Sequence, residues 1–392
     1  MSEWKKVKLG ELYEVHNGLS KGRQFFGSGY PFLTFSTVFN NYFLPKELDS
    51  LVQSSEKERE ACSIRKGDVF ITRTSETMDE LGMSSVALRD YPNATYNGFT
   101  KRLRPITDNV IPEYIGYYLR SPKFRGKFMA FSTMTTRASL ANADLLGMEV
   151  EIPSKEEQHR IATILSRYDS LIENYQKQIK LLEEAAQRLY KEWFVDLHFP
   201  GYENTKIIDG VPEGWEKKPV DTIYSIKYGK NLSTKLISEN GKFPVYGANG
   251  VIGYYDKANC NEQVVLITSR GNGSGDVLMT YHKDAFITNN SFIVSPIEDY
   301  SYCQLPFTYQ FLKNANFRAV RTGAAQPQLT NQSIHTVDVV LPSKDVIIDY
   351  CDKAFYNNKK IILLKNQIRL LTEARDRLLP KLMSDEISMF IY

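Results

Sequence analysis

The stretch Gln178–Leu189, QIKLLEEAAQRL, returns as QIRLLTEARDRL at Gln367–Leu378, and these two segments decide the fold. Eight of their twelve positions are identical, and the copies lie 189 residues apart. Upstream of them, Ile152–Lys155 and Leu341–Lys344 (IPSK and LPSK) share the same offset. A proline and a serine ahead of a helical pattern are typical of a helix start. The sequence therefore contains an internal repeat, and each copy ends in a long helix.

The beginning of each copy is also recognisable, at a larger offset of 211 residues. Aromatic, aliphatic and glycine residues recur there with identical spacing: Trp4, Leu9, Tyr13, Val15 and Gly18, then Trp215, Val220, Tyr224, Ile226 and Gly229. Because the offset falls from 211 to 189, the middle of the second copy is 22 residues shorter. The two copies are alike at their ends and differ in their middles.

Each closing helix carries apolar residues at heptad spacing, which is typical of a coiled coil. The pattern covers roughly 38 residues, or about 57 Å at 1.5 Å per residue. Polar residues interrupt it in the second helix at Asn357 and Arg375. Neither helix could bury such a stripe alone. We therefore expect the helices to pair antiparallel along a seam of Ile161, Leu165, Tyr168, Ile172, Tyr175, Ile179, Leu182, Leu189, Tyr350, Ile361, Leu364, Ile368, Leu371 and Leu378.

Ahead of each helix the sequence indicates a domain of mixed α/β structure. Runs of aromatic and β-branched residues at Pro31–Phe35, Asp68–Thr72 and Val264–Thr268 predict strands, and Pro112–Leu119 and Leu305–Leu312 predict short helices. We predict an α+β fold in which two mixed α/β domains are joined by two long antiparallel coiled-coil helices, as a pseudo-twofold internal duplication.

The predicted boundaries follow from the repeat. They are residues 1–152 for the first domain, 153–195 for the first long helix, 196–214 for a linker, 215–341 for the second domain and 342–384 for the second long helix.

The composition is that of a globular protein, with 42% hydrophobic and 24% charged residues. No run of 18 or more apolar residues is present, and the start MSEWKKVKLGEL has no apolar core of a signal peptide. The four cysteines form no CxxC motif and have no histidine at metal-ligand spacing, so we expect reduced thiols and no metal site. These features predict a soluble cytoplasmic protein.

The distribution of charge is more informative than the net charge of +3. Between Tyr300 and Val337, Lys313, Arg318 and Arg321 face no acidic residue. Between residues 100 and 137, two acidic residues face eight basic ones: Lys101, Arg102, Arg104, Arg120, Lys123, Arg125, Lys127 and Arg137. Such clusters favour a polyanionic partner, because neutralising phosphates provides affinity. The alternative is an ordinary solvated basic face.

Catalytic motifs are not evident. The glycine run Gly271–Asp276 follows an apolar strand, as a phosphate-binding loop does, but no convincing helix follows it and no Lys-Ser/Thr closes it. The Asn-Pro-Pro-aromatic motif of an adenine methyltransferase is missing from the sequence, and the five histidines are scattered. We therefore predict no catalytic residues and expect a surface loop at 271–276.

Several motifs resemble those of the specificity (S) subunit of type I restriction-modification systems, and they occur in that family's order. They are Ile152-Pro153-(x)3-Glu157-Gln158, Leu189–Phe194 followed by Phe199–Tyr202, Gly323-(x)-Ala325-Gln326-(x)2-Leu329, and Leu379–Ser384. Two features depart from the pattern. The second helix lacks the Glu-Gln pair at its entry, and Thr136–Leu140 stands where the second domain has its Gly-Ala-Gln-Leu motif.

The resemblance implies a non-catalytic, DNA-binding subunit of a methyltransferase and endonuclease complex. Each target-recognition domain would recognise one half of a bipartite, asymmetric site in double-stranded DNA. The helix pair would set the spacer between the halves and dock two modification (methyltransferase) subunits, and restriction subunits would join through them. No cofactor is expected in this chain. S-adenosylmethionine would bind the modification subunit, and ATP and Mg²⁺ the restriction subunit.

Base recognition uses Arg, Lys, Asn and Gln side chains carried on loops. Such residues are frequent in the Gly- and Ser-rich stretches of both domains, where the alternative is local turn chemistry. The predicted DNA contacts are Lys21, Arg23, Arg73, Thr74, Ser75, Lys101, Arg102, Arg137, Ser139, Lys230, Ser269, Arg270, Asn272, Arg321, Gln326 and Gln328.

Two alternative functions belong to other classes of protein. One is a coiled-coil scaffold or adaptor that recognises no bases. The other is a fused restriction-methylation enzyme, which the missing methyltransferase motifs and the chain length disfavour.

Overall fold

The computed structural model describes residues 4–73, 80–131, 141–323 and 326–384. The chain divides into two compact units. Unit 1 consists of Met1–Glu173 and Leu370–Tyr392, and unit 2 consists of Asn174–Arg369. Each unit thus contains one mixed α/β domain and a part of each long helix.

Unit 1 alternates short strands and short helices before the first long helix. Its strands are β1 (Lys5–Lys8), β2 (Tyr13–Asn17), β3 (Phe26–Leu33), β4 (Leu51–Val52), β5 (Val69–Thr72), β6 (Ser84–Val86), β7 (Thr95–Tyr96), β8 (Thr100–Pro105) and β9 (Glu149–Ile152). Its helices are α1 (Leu9–Leu12), α2 (Phe35–Asn40), α3 (Glu56–Ala61), α4 (Pro112–Tyr118), α5 (Pro122–Phe131), α6 (Asn142–Gly147) and the first part of α7 (Lys155–Phe194).

The described strands of unit 1 form three sheets. The largest has the order β2-β8-β5-β6, and every pairing in it is antiparallel. A second sheet has the order β4-β3-β7, in which β3 and β7 run parallel. The third pairs β1 with β9. Every residue of the apolar run in β5 is buried, because the strand lies inside its sheet and is covered on both faces.

The core of unit 1 is rich in aromatic residues, which include Tyr114, Tyr118 and Phe124 from α4 and α5. The beginning of α7 contributes Ile161 and Leu165 to the same core, and both side chains are fully buried. The later end of the second long helix also packs here, through Leu379, Leu382 and Met383.

Unit 2 repeats this plan. Its strands are β10 (Ile207–Ile208), β11 (Val211–Pro212), β12 (Glu216–Pro219), β13 (Tyr224–Tyr228), β14 (Phe243–Gly247), β15 (Gly250–Tyr255), β16 (Val265–Thr268), β17 (Val277–Met279), β18 (Phe286–Ile287), β19 (Ser291–Pro296) and β20 (Asp338–Leu341). Its helices are α8 (Leu305–Asn314), α9 (Asn331–His335) and the first part of α10 (Lys344–Met383).

The sheets of unit 2 match those of unit 1 strand by strand. Their orders are β13-β19-β16-β17, β15-β14-β18 and β12-β20, so β12 to β20 take the places of β1 to β9. The parallel pairing of β3 with β7 also recurs, between β14 and β18. The internal duplication predicted from the sequence is therefore confirmed at the level of topology.

The two long helices, α7 and α10, are each 40 residues long. Their bounds differ by the same 189 residues as the repeat in the sequence. In unit 2, Ile179 of α7 clusters with Ile361 and Leu364 of α10. Further along α7, the rings of Tyr190 and Tyr350 lie 6.1 Å apart. Since later residues of α7 meet earlier residues of α10, the pairing is antiparallel, as predicted.

All fourteen predicted seam residues are buried or half-buried. Six are buried, namely Ile161, Leu165, Ile179, Tyr350, Ile361 and Leu364; the other eight are half-buried, namely Tyr168, Ile172, Tyr175, Leu182, Leu189, Ile368, Leu371 and Leu378. Of the two interruptions, Asn357 is half-buried, and Arg375 forms an ion pair with Asp169 of α7, with a distance of 2.5 Å between Nη1 and Oδ1.

Four local predictions are confirmed. The ranges Asp68–Thr72, Val264–Thr268 and Pro112–Leu119 contain β5, β16 and α4, and Leu305–Leu312 lies within α8, which extends to Asn314. The strand predicted at Pro31–Phe35 is only partly correct. β3 ends at Leu33, and Phe35 begins α2, because the hydroxyl of Thr34 accepts a hydrogen bond of 3.1 Å from the amide of Thr37 and caps a helix.

The predicted linker, residues 196–214, has its own structure. It contains a 3₁₀ turn at Tyr202–Asn204 and the antiparallel hairpin of β10 and β11. Phe199 is buried, and its ring lies 5.1 Å from that of Trp215. The segment therefore belongs to the packed core of unit 2 through its aromatic residues.

Candidate nucleic-acid interface

In each unit two loops approach closely at the glycine that ends the repeated sequence motif, Gly18 or Gly229. A Cβ atom on Gly18 would lie 2.2 Å from the carbonyl oxygen of Asn97, and one on Gly229 would lie 2.3 Å from that of Thr288. Distances below about 3 Å are not tolerated between a Cβ and a backbone oxygen. Only glycine fits at this position, because a Cβ atom would collide with the facing carbonyl oxygen. This explains why the sequence motif ends in glycine in both copies.

In unit 1 this approach brings three loops together. The amide of Leu19 donates to Tyr96 O at 2.8 Å, and the amide of Gly98 donates back to Leu19 O at 2.9 Å. The amide of Arg73, directly after β5, donates to Phe99 O at 3.0 Å. We refer to residues 17–21, 73 and 97–100 as the unit 1 junction.

Unit 2 repeats these bonds with other residues. The amide of Lys230 donates to Ile287 O at 3.0 Å, and the amide of Asn289 donates to Lys230 O at 3.1 Å. The amide of Ser269, directly after β16, donates to Asn290 O at 2.8 Å. The two junctions therefore share a backbone frame and differ in side chains.

A fourth loop joins the frame in unit 2. The amide of Gly271 donates to Pro327 O at 2.9 Å, and the amide of Leu329 donates to Ser269 O at 2.8 Å. Between these bonds, Arg270 and Gln328 form an antiparallel bridge. We refer to residues 228–230, 269–276, 288–291, 321–323 and 326–329 as the unit 2 junction.

The unit 2 junction gathers most of the contacts predicted for the second domain. Arg321 is half-buried, and its Nε donates to Arg318 O at 3.0 Å. The remaining side chains are exposed: Lys230, Arg270, Asn272, Gln326 and Gln328. Residues scattered over about a hundred positions of sequence thus share one loop cluster.

In unit 1 the structure describes fewer of the predicted contacts. Arg23 is exposed, whereas the Lys21 ammonium lies 2.8 Å from the Glu58 carboxylate. That hydrogen bond from Lys21 lowers the pKa of Glu58. Arg73 donates to Asn17 Oδ1 through Nη1 at 3.4 Å. Four predicted contacts lie outside the described residues: Thr74, Ser75, Arg137 and Ser139.

Three predicted DNA contacts are corrected by the structure, because their side chains are buried and bonded internally. Lys101 donates to the side-chain oxygen of Asn142, and burial lowers the pKa of Lys101. Arg102 donates to Ser63 O at 2.8 Å. The hydroxyl of Ser269, which is 0% exposed, donates to a backbone carbonyl at 3.0 Å. These three side chains hold the fold together and are not presented to a ligand.

The same correction extends to the basic cluster of residues 100–137. Arg104 pairs with the buried carboxylate of Asp68 at 2.7 Å. Arg120 donates to three backbone carbonyls, and burial lowers its pKa to about 10. Lys123 and Lys127, both on α5, bind the carboxylate of Glu151.

On α5, Lys123 Nζ lies 2.5 Å and Lys127 Nζ 3.0 Å from the Glu151 carboxylate. Burial opposes the charge of Glu151, but these two hydrogen bonds prevail and lower its pKa. Arg125 donates to Leu81 O at 2.5 Å. The described members of the cluster are thus engaged inside unit 1, and the sequence cluster does not correspond to a free basic surface there.

The glycine run Gly271–Asp276 is the turn of a hairpin. The strand that follows it, β17, pairs antiparallel with β16, so no helix is available to bind a phosphate at its N-terminus. Gly271 and Gly275 have φ angles of 82° and 89°, which favour glycine. Asp276 binds Arg318 with an oxygen-to-nitrogen distance of 2.5 Å. The run shapes the unit 2 junction, in line with the surface loop expected from the sequence.

Two junction residues were not predicted from the sequence. Phe99 is 61% exposed, yet its backbone is held firmly, since its amide donates to Asn97 Oδ1 at 2.6 Å and its carbonyl accepts from Arg73. Its counterpart in unit 2 is Asn290, which accepts from Ser269 through the same backbone bond. A prediction that considers only polar side chains overlooks the aromatic Phe99. Its correspondence with Asn290 is evident only from the shared backbone hydrogen bond.

All four cysteines are buried and unbridged. In the described ranges, no helix has the length and apolar character needed to cross a membrane.

The sequence matches the family described as type I restriction modification DNA specificity domain over residues 1–184 and 212–372. Since the match covers most of the chain, the protein belongs to this family, whose members are the specificity subunits of type I restriction-modification systems. The family's role is DNA recognition, which agrees with two loop clusters on a duplicated frame.

Two relatives are similar to this chain over nearly their whole length. The chain is 26% identical to the type I restriction enzyme MjaIX specificity subunit of Methanocaldococcus jannaschii, with 98% of this chain and 94% of that protein covered. It is 23% identical to the type I restriction enzyme HindI specificity subunit of Haemophilus influenzae, with 99% and 100% covered.

The fold is also found among solved structures. The type I restriction-modification S subunit from M. genitalium matches with a TM-score of 0.57 at 19% identity, over 97% of this chain and 96% of that chain. At this identity the likeness concerns the fold, and it supports two mixed α/β domains with long helices.

Proposed function

We propose that each junction recognises one half of a bipartite, asymmetric site in double-stranded DNA. The observation that carries this proposal is the shared backbone frame of the two junctions, which present different side chains. A duplicated frame supports two DNA-binding surfaces of the same kind, and different side chains select different bases. Phe99 in unit 1, for example, stands where unit 2 has Asn290.

The side chains of the unit 2 junction suit base recognition in the major groove. An Arg side chain can donate two hydrogen bonds to guanine, and Asn or Gln can form a bidentate pair with adenine. Arg270, Asn272 and Gln328 are exposed and lie on loops whose backbones are bonded to one another. Lys230 and, in unit 1, Arg23 are suited to phosphate contacts, which position a protein without selecting a sequence.

We also propose that the exposed faces of the long helices dock two modification subunits, with restriction subunits joining through them. Leu181 of α7 and Leu370 of α10 correspond across the 189-residue repeat, and they are 65% and 54% exposed. Tyr356 is 77% exposed on α10. Large apolar side chains exposed on a helix favour a protein partner.

In this proposal the chain contributes recognition and no catalysis of its own. S-adenosylmethionine would be bound by the modification subunits, and ATP and Mg²⁺ by the restriction subunits. A methyl-transfer assay on the isolated chain tests this directly, and we expect no transfer. Activity of the isolated chain would instead support a fused restriction-methylation enzyme.

The central experiment is methylation mapping of host DNA with and without this chain, followed by an exchange of residues 1–152 for those of another family member. We expect one methylated bipartite motif that disappears without the chain, and in the exchange a new sequence in one half only. An unchanged motif after the exchange would favour an adaptor that recognises no bases.

A further inference from the structure

A small cavity lies inside unit 2, where α8 and β17 face both long helices. Its volume is about 30 Å³. The lining includes Ala186 of α7, Ala354 and Tyr350 of α10, and Tyr309 and Gln310 of α8. Since one water molecule requires about 10–15 Å³ by this measure, the cavity has room for about two.

Two polar atoms in this lining have no hydrogen-bond partner among the residues that the structure describes. They are Gln310 Oε1 and Tyr350 Oη. Gln310 is 5% exposed and Tyr350 is 0% exposed, so bulk water does not reach them freely. An unpaired buried polar group costs about 1–3 kcal/mol, and native structures avoid that cost by supplying a partner.

The internal duplication explains why the cavity exists. Across the 189-residue offset, Ala186 corresponds to Arg375 and Ala354 corresponds to Leu165. In unit 1 both larger side chains are packed, with Leu165 fully buried and Arg375 bound to Asp169 at 2.5 Å. Two alanines in unit 2 therefore leave open the space that an arginine and a leucine occupy in unit 1.

Aromatic side chains also pack around Arg375 and its partner Asp169 in unit 1. The guanidinium of Arg375 lies 5.0 Å from the ring centre of Tyr42, and the hydroxyl of Tyr117 donates to the same Asp169 carboxylate. In unit 2 the residue that corresponds to Asp169 is Asn358, which lines the cavity. The frame is the same, but the ion pair is missing from its unit 2 position.

We propose that this cavity is an internal hydration site, in which ordered water binds Gln310 Oε1 and Tyr350 Oη. Water donates to an amide oxygen and both donates to and accepts from a hydroxyl, so it satisfies both atoms. Among the described residues, no side chain of the lining bonds to either atom. Ala186, Ala354 and Ile361 are apolar, and the nearby Lys365 ammonium is engaged with Glu183 Oε1 at 3.0 Å and the Tyr281 ring at 3.7 Å.

Units 1 and 2 therefore differ in what occupies corresponding positions beside the long helices. Unit 1 is held there by an ion pair with direct contacts, and unit 2 by exchangeable solvent. In unit 2, α8 of the second domain therefore contacts α10 partly through a water molecule that can exchange with solvent. This inference is independent of the proposed DNA contacts, because it concerns packing inside unit 2.

The test is a crystal structure of the full chain at a resolution that shows ordered water, together with the melting temperature of Tyr350→Phe. We expect density for water within hydrogen-bond distance of both Gln310 Oε1 and Tyr350 Oη. We also expect Tyr350→Phe to lower the Tm by a few degrees, because it removes the hydroxyl that binds the water.

Tyr114→Phe is the matched control, since the hydroxyl of Tyr114 is buried and donates directly to Glu151 O at 3.1 Å. Its Tm should fall in the same direction. An empty cavity, or density for an organic molecule in it, overturns the proposal. A Tm of Tyr350→Phe at or above that of the wild type also overturns it, because removing an unpaired hydroxyl from a dry cavity is stabilising.

Discussion

Single residues decide where the loops of each junction can meet. Gly18 and Gly229 allow two backbones to approach, and no other residue type fits without displacing a carbonyl group. Around them, backbone hydrogen bonds hold the loops that carry exposed side chains such as Arg270 and Phe99. Recognition residues can therefore change while the frame that presents them stays the same.

Gly229→Ala should destabilise unit 2 by about 2 kcal/mol, because the new Cβ would collide with Thr288 O at 2.3 Å and push the loops apart. Urea denaturation of the variant measures this loss. Gly126→Ala is the control. It lies in α5 with nothing within 4 Å of the new Cβ, so its stability should be equal to or slightly above the wild type. A Gly229→Ala variant as stable as the control would contradict the steric argument.

Phe99 should contact the 5-methyl group of a thymine in one half-site, since an exposed aromatic residue at a DNA-facing loop suits that apolar group. Replacing that thymine by uracil in the target should weaken binding of the wild type by about 1 kcal/mol and leave binding of Phe99→Ala unchanged. Binding titrations on the mapped target, scanned one thymine at a time, provide the measurement.

Asn290→Ala is the counterpart control, because Asn290 accepts the same backbone bond in unit 2. It should alter selection in the other half-site only. If no thymine shows a difference between wild type and Phe99→Ala, Phe99 does not recognise a methyl group.

Among the secondary-structure elements, those with local sequence patterns can be predicted, whereas contacts between distant residues cannot. The long helices are predictable because their heptad spacing and their Pro-Ser starts are local patterns. The burial of Lys101 and Arg102 is not, because their partners, Asn142 and Ser63, lie about 40 residues away. A run of basic residues has the same appearance whether its charges face water or buried carbonyl groups.

Arg375→Ala should destabilise the helix pair by about 2 kcal/mol. Its loss leaves the Asp169 carboxylate, which is 27% exposed, without the cation that binds it at 2.5 Å. Thermal or urea unfolding measures the change. Arg188→Ala removes an exposed pair with Glu184 and should change stability by less than about 0.5 kcal/mol. Equal losses for the two variants would argue against a structural role for Arg375.

The helix pair should set the spacing between the two half-sites. Seven residues inserted after Glu173 in α7 and seven after Arg369 in α10 lengthen both helices by about 10 Å, or about three base pairs. We expect a longer tolerated spacer with unchanged half-site bases, or loss of activity. Methylation mapping shows which. Seven residues inserted at Asp209–Gly210, in the exposed hairpin turn, should leave the spacer unchanged.

A spacer that stays the same in the lengthened, active protein would count against the helices as the measuring element. The insertion points follow from the division of each helix between the two units.

At the scale of the molecule, the duplication is nearly complete in topology and incomplete in detail. The strand orders agree sheet by sheet, whereas the seam is filled by Arg375 in one unit and bordered by Ala186 in the other. The repeat in the sequence predicts the shared frame, because equal spacing implies equal structure. It does not predict the junctions, because their loops lie in the middles, where the two copies have no common spacing.

Buried tyrosines are numerous in both units, and they should make the protein sensitive to alkali. Burial raises the pKa of Tyr118, Tyr246 and Tyr281 to about 12. An unfolded tyrosine ionises near pH 10, so the folded state retains protons that the unfolded state loses. The contribution of these tyrosines to stability should be constant below pH 9 and fall as the pH rises through 10 to 12. Urea midpoints measured from pH 8 to 11 test this, and a flat profile would contradict it.

Each long helix begins in one unit and ends in the core of the other: α7 ends with Tyr190 and Trp193 in unit 2, and α10 ends with Leu379 and Leu382 in unit 1. This arrangement sets an order of events during synthesis on the ribosome. Residues 1–173 are made first, but their core lacks the side chains of α10 until all of unit 2 has been translated. The half that is synthesised first is therefore the last to be completed, and until then its apolar surface is available to chaperones.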